Sequence, residues 1–157
     1  MGFRGGFLVI VMMILSSMIA TFFFLEPQEI HNTITGPQLE SLIKYEYPKA
    51  YVIILDERYN LTNRTEMKNI LKADKTNLLQ YINETFDCDD FAFTLWRNIR
   101  NEYGNLAVGV VRVKIGLDVG HVLNFYVDND LKINLIESQT DVINPSFDIT
   151  EYTWFLI

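Results

Sequence analysis

Three residues carry the chemistry this chain can do: Cys88 in Asp87-Cys88-Asp89-Asp90-Phe91-Ala92, His121 in Gly120-His121-Val122, and Glu137 in Leu135-Ile136-Glu137. A thiol becomes a nucleophile when it loses its proton, and a helix start and a neighbouring imidazole both favour that loss. In such a set Cys88 attacks, His121 takes the thiol proton, and Glu137 fixes the imidazole tautomer and stabilises the imidazolium. The carboxylates of Asp87, Asp89 and Asp90 oppose a thiolate among them, so something must offset their charge.

These residues need elements to hold them. Phe91, Ala92, Leu95, Trp96 and Ile99 recur at three- and four-residue steps, which predicts an amphipathic helix from Cys88 to about Glu102, ended by Gly104. Asp87 is its natural N-cap with Asp90 three residues on, so Cys88 falls in the first turn, whose amides can stabilise an oxyanion. Gln80 and Asn83 are further candidate donors. Strands follow at 106–115, 120–127 and 132–137, with a last one at 152–157 ending the sheet as a meander. Upstream, 37–47 reads as a short helix, 50–55 as a buried strand and 66–81 as a broken helix. The class is α+β, a Cys-bearing helix packed on an antiparallel sheet.

Alternate side chains on a strand share a face, which puts His121 with Leu123 and Phe125, and Glu137 with Leu135 and Ile133. A three-residue loop, Asp128-Asn129-Asp130, pairs Val127 with Leu131 and sets His121 directly opposite Glu137, about 5 Å apart at the β-carbons.

The acidic group admits two readings. Asp87, Asp89 and Asp90 form an oxygen-rich cluster suited to a hard cation such as calcium, which would neutralise them and favour the thiolate. Alternatively Asp87 is a cap, and Asp89 and Asp90 are acids favoured by the helix dipole. Asp128 and Asp130 read as turn residues and His31 as a linker residue.

The order of Cys-helix, His-strand and acid-strand, with Gly120-His121-x-x-Asn124 and Leu135-Ile136-Glu137-x-Gln139, resembles the papain-like and transglutaminase-like superfamily. It is most similar to the calcium-dependent papain-like C-terminal domain of a mushroom agglutinin and related phage and microbial domains. The resemblance covers roughly 81–142 and implies a papain-like core with Cys88 as nucleophile, His121 as base and Glu137 as third member. It also implies calcium at Asp89 and Asp90. Ser138 departs from the family pattern, in which Pro often follows the acid, and 37–76 matches nothing.

The remaining composition bounds location and partners. Gly6 to Leu25 is a run of about 20 uncharged residues, long enough to cross a bilayer core of roughly 30 Å. It is read as an uncleaved anchor, with a cleaved signal peptide and a secreted domain as the alternative. Arg4 before it and Glu26 and Glu29 after it leave the N-terminus cytoplasmic and place the C-terminal domain outside, in a single-pass arrangement. The domains expected are an anchor at 1–25, a linker at 26–36 and a papain-like domain at 37–157. Three Asn-x-Thr sequons at Asn60, Asn63 and Asn83 fit export. A net charge of −7 argues against nucleic acid as partner, and a single cysteine forbids an internal disulfide.

Two functions follow. One is a membrane-anchored cysteine peptidase, a calcium-activated hydrolase or transglutaminase-like acyl transferase acting on a peptide or protein substrate. The other is a catalytically inactive binding or structural module of the same fold with a stabilising metal ion.

Overall fold

The computed structural model describes residues 32–117 and 119–157. Local capping sets its helices. Thr35 starts α1 (Gly36–Glu46), its hydroxyl accepting from the Gln38 amide while the Gln38 side chain takes the Thr35 amide at 3.0 Å. Asn63 and Glu66 make the same reciprocal pair at the start of α2 (Arg64–Ala73). Asp74 ends α2, and a single 3-10 turn, Thr76–Leu78, follows it. Helix α3 runs Cys88–Tyr103 and stops at Gly104, whose φ of 70° costs a glycine little.

The strands are β1 (Thr33–Thr35), β2 (Tyr51–Ile53), β3 (Arg58–Asn60), β4 (Val108–Ile115), β5 (Val119–Val127), β6 (Ile133–Glu137), β7 (Val142–Ile143) and β8 (Ile149–Leu156). β1 and β3 form a small antiparallel pair. The others make one sheet in the order β2-β8-β4-β5-β6-β7, antiparallel except for the parallel pair β2 and β8.

Strand alternation sends side chains to two cores. Val111, Val113, Leu123, Phe125 and Phe155 pack with Leu39 and Ile43 of α1 on one face. On the other, Val108, Tyr126 and Ile136 meet Leu95 and Ile99 of α3 and Met67, Ile70 and Leu71 of α2. The sheet thus lies between α1 and the α2–α3 pair, and α3 is fixed by apolar residues at 91, 92, 95 and 99.

Several expectations need correction. The strand read as buried at 50–55 is a short edge strand, with Tyr51 68% and Ile53 41% exposed. The final strand does not end the sheet: β8 inserts between β2 and β4, so the meander covers only β4 to β7. β1 falls inside the expected linker. The sheet dominates, and the expected papain-like core behind a transmembrane helix is not what the described residues form. Among them no helix is long and apolar enough to cross a membrane. The longest, α3, has 16 residues and buries one face only. The single-pass location and its exported domain are withdrawn with it, and the segment 6–25 on which they rested lies outside the described residues.

Candidate functional site

Cys88 is the first residue of α3 and half-buried. Asp87 precedes it in extended conformation, and its amide donates to Asp90 Oδ2 at 3.1 Å, so Asp90 works as the helix-start cap. The sulfur end packs with Trp96 and Trp154 against Ala92, Val110 and Val122.

His121 and Glu137 come from neighbouring strands. Pairing of β5 with β6 runs from Val127↔Ile133 to Asn124↔Ile136 and then stops. The loop is therefore five residues, 128–132, and the register is two residues away from the expected one. Asp128 explains the longer loop, because its Oδ1 accepts the amides of Asp130 and Lys132 at 3.0 and 2.9 Å while Leu131 turns to φ 60°. A shift of two preserves the face of every side chain. His121 and Glu137 are diagonal rather than opposite, and still meet, Nε2 to Oε2 at 2.8 Å. The Gln139 amide donates to the other oxygen, Oε1, at 3.1 Å and holds the carboxylate in place. Both side chains are largely buried, 15% and 10% exposed.

The imidazole also interacts with the thiol. Its pKa is pushed up to about 9, first by the hydrogen bond to Cys88, then by that to Glu137, against the opposing effect of burial. Phe147 sets its ring edge-on to the imidazole at 5.3 Å between centroids. The structure thus brings Cys88, His121 and Glu137 together. It leaves Gln80 and Asn83 apart: both are exposed, and among the described residues no hydrogen bond links either to the thiol.

A buried clamp joins these elements and was not assigned a role from the sequence. Asn124, fully buried, donates through Nδ2 to the carbonyl oxygens of Ala92 on α3 at 2.9 Å and of Gly109 on β4 at 3.1 Å. Ser138, directly after Glu137, donates its hydroxyl to Asn124 Oδ1 at 2.6 Å. The signal was an amide in the apolar run Val122-Leu123-Asn124-Phe125-Tyr126, where a buried polar group must find partners.

Asp87, Cys88 and Asp89 place their ligand atoms within 4.8 Å of one another. Calcium takes 6–8 oxygens. Asp90 is turned back onto the Asp87 amide, and the third atom of the cluster is a sulfur. Asp87 and Asp89 also share a hydrogen bond, which raises the Asp89 pKa and lowers that of Asp87. The expected pair Asp89 and Asp90 therefore does not fit a calcium cage.

No family model and no curated protein matches the chain. Solved structures do. One, titled as a PSL1a–E64 complex, superposes with a TM-score of 0.69 at 20% identity over 80% of this chain and 50% of the other. A second is Polyporus squamosus lectin bound to the epitope Neu5Acα2-6Galβ1-4GlcNAc, with a TM-score of 0.63 at 20% identity, 80% of this chain and 49% of that one. The likeness shows a shared fold. The chain spans about half the length of the structures it matches.

These neighbours are named as a lectin, not as a peptidase or a transglutaminase, and they correct the papain-like membership expected from the motif. With it go the membrane-anchored peptidase and its hydrolase, thiol-protease and acyl-transferase descriptions. The motif misled for a physical reason: a helix-start Cys, a strand His and an acid describe three elements, whereas the fold is set by how all the strands connect. The ligand named with that lectin is a glycan.

Proposed function

We propose that this chain is a ligand-binding module whose engaging group is Cys88. His121, bridging Cys88 and Glu137 with Nε2 at 2.8 Å from the carboxylate, is the observation that carries this reading. His121, held by Glu137, takes the Cys88 proton, and the sulfur forms a bond to an electrophilic carbon of the ligand as that carbon's bond to its leaving group breaks and the electron pair departs with the group. In these roles Cys88 is the nucleophile, His121 the proton acceptor and Glu137 the orienting acid. E64, named with PSL1a, is the first molecule to try. Intact-protein mass spectrometry should show one adduct at Cys88, formed at least tenfold more slowly in His121→Ala. Equal rates in both proteins would sink the reading.

A second reading takes the trisaccharide of the solved lectin as the ligand class. A groove of about 470 Å³ runs along α3, lined by Phe93, Trp96, Arg97, Arg100 and Asn101 among others. Aromatic side chains beside the polar groups of Arg97 and Asn101 suit a polyhydroxylated ring. Nuclear magnetic resonance titration with Neu5Acα2-6Galβ1-4GlcNAc tests it. Shift changes grouped at 93–101 support this surface, and none at millimolar sugar removes it.

A further inference from the structure

Arg112 lies on β4 with its side chain on the same sheet face as Val110. Its cross-strand neighbours are Val122 on β5 and Trp154 on β8. Those two pack with Cys88 in one cluster around Ala92 and Val110, so Arg112 stands at the rim of the thiol site. Gly120, which precedes His121, makes room for it: a β-carbon there would come within 2.9 Å of Arg112 Nη2 and 3.4 Å of Nε. Gly120 is not among the glycines with positive φ, so the missing side chain serves this close approach rather than the backbone.

The guanidinium is exposed and has no ion pair or hydrogen bond with any described residue. Arg100, by contrast, is committed to Asp56 at 2.7 Å and Lys114 to Glu151 at 3.0 Å. Around it the field is negative, since the chain carries −7 overall and Asp87, Asp89 and Asp90 crowd the thiol. An arginine there is a positive point in that surround, and its planar fork matches a carboxylate with two parallel hydrogen bonds.

We infer that Arg112 anchors a carboxylate on the ligand that Cys88 engages, which makes the ligand class a small acid with an electrophilic carbon near its charge. This rests on the thiol reading above, with Trp154 supplying an apolar wall beside the anion.

Two alkylating probes of nearly equal size separate the claims. Iodoacetate carries the carboxylate and iodoacetamide does not. With either, the Cys88 thiolate sulfur forms a bond to the methylene carbon, the carbon–iodine bond breaks, iodide leaves, and His121 keeps the proton. The readout is the iodoacetate-to-iodoacetamide rate ratio, compared with that of a free thiol peptide. The ratio should exceed the peptide's, fall about tenfold in Arg112→Gln, corresponding to about 1.4 kcal/mol in the barrier, and recover in part in Arg112→Lys. Added salt should lower it, because the attraction is between exposed charges. Gly120→Ala should lower it too, by pushing the guanidinium aside. An unchanged ratio in Arg112→Gln overturns the inference while leaving the thiol reading intact. If iodoacetamide reacts equally fast in the native protein and in His121→Ala, the thiol reading itself has failed.

Discussion

Asn124 on the histidine strand donates to the carbonyl oxygen of Ala92, one turn into the cysteine helix, at 2.9 Å. The distance between thiol and imidazole is therefore set by an amide that touches neither. Removing it in Asn124→Ala deletes three hydrogen bonds, to the Ala92 and Gly109 carbonyls and from the Ser138 hydroxyl, each contributing about 1 kcal/mol, and leaves that hydroxyl without its acceptor. Urea unfolding should show a loss of about 3 kcal/mol or more, and Cys88 alkylation should lose its dependence on His121. A loss below about 1 kcal/mol would mean that solvent replaces the clamp.

The protonation of His121 is a direct readout of its two partners. Its titration, followed by nuclear magnetic resonance, should centre at about 9. Cys88→Ala should lower it most and Glu137→Gln less, because the hydrogen bond to Cys88 is the larger cause. A midpoint near the ordinary histidine value in the native protein would show that the contacts do not hold in solution.

Stability should follow the same group. A folded pKa of about 9 lies above the ordinary 6.5, so the charged imidazole stabilises the fold fully below about 6.5, and that contribution disappears as pH rises through 9. The unfolding free energy should fall across this window by on the order of a few kcal/mol, relative to His121→Gln. Parallel pH profiles for the two proteins would contradict it.

Gly109→Ala should be severe. A β-carbon there would collide with the backbone oxygen of Leu156 and lie 2.6 Å from Phe125 Cε1, and the backbone of a paired strand cannot give way. The expected loss is about 3 kcal/mol or more, read by thermal unfolding. A transition within a few degrees of the native one would show that β4 and β8 can part.

Calcium should leave the melting temperature unchanged at neutral pH, whether millimolar ion or chelator is added, because Asp90 is turned onto the Asp87 amide and the third atom of the acidic cluster is a sulfur. A rise of several degrees, abolished by Asp89→Asn, would show that the ion binds there.

The sequence made some of this legible and hid the rest for particular reasons. Asp87 and Asp90 marked the start of α3, and the spacing of Phe91, Leu95 and Ile99 fixed its buried face, because capping and periodicity are local. Strand parity brought His121 to the side of Glu137 although the register was two residues off. That error came from Leu131, whose left-handed backbone no residue preference announced. The insertion of β8 between β2 and β4 is a pairing across the chain and left no local trace. The Asn124–Ser138 bond was hidden likewise, since Ser138 stood out only as a departure from a motif. The family expectation showed how far a short motif alone can be carried.

The parallel pairing of Tyr51 with Trp154 has a consequence for the order of assembly. The stretch from Cys88 to Glu137 holds the whole thiol site, so its contacts are of short sequence separation and can form early. The strand that seals β4 arrives last. During synthesis the half-built sheet carries an open, apolar edge at Val110 to Val113 until residue 156 has emerged, and closing it means the slow, distant pairing that limits folding rates. The interval is when this chain is most exposed to pairing with another copy of itself.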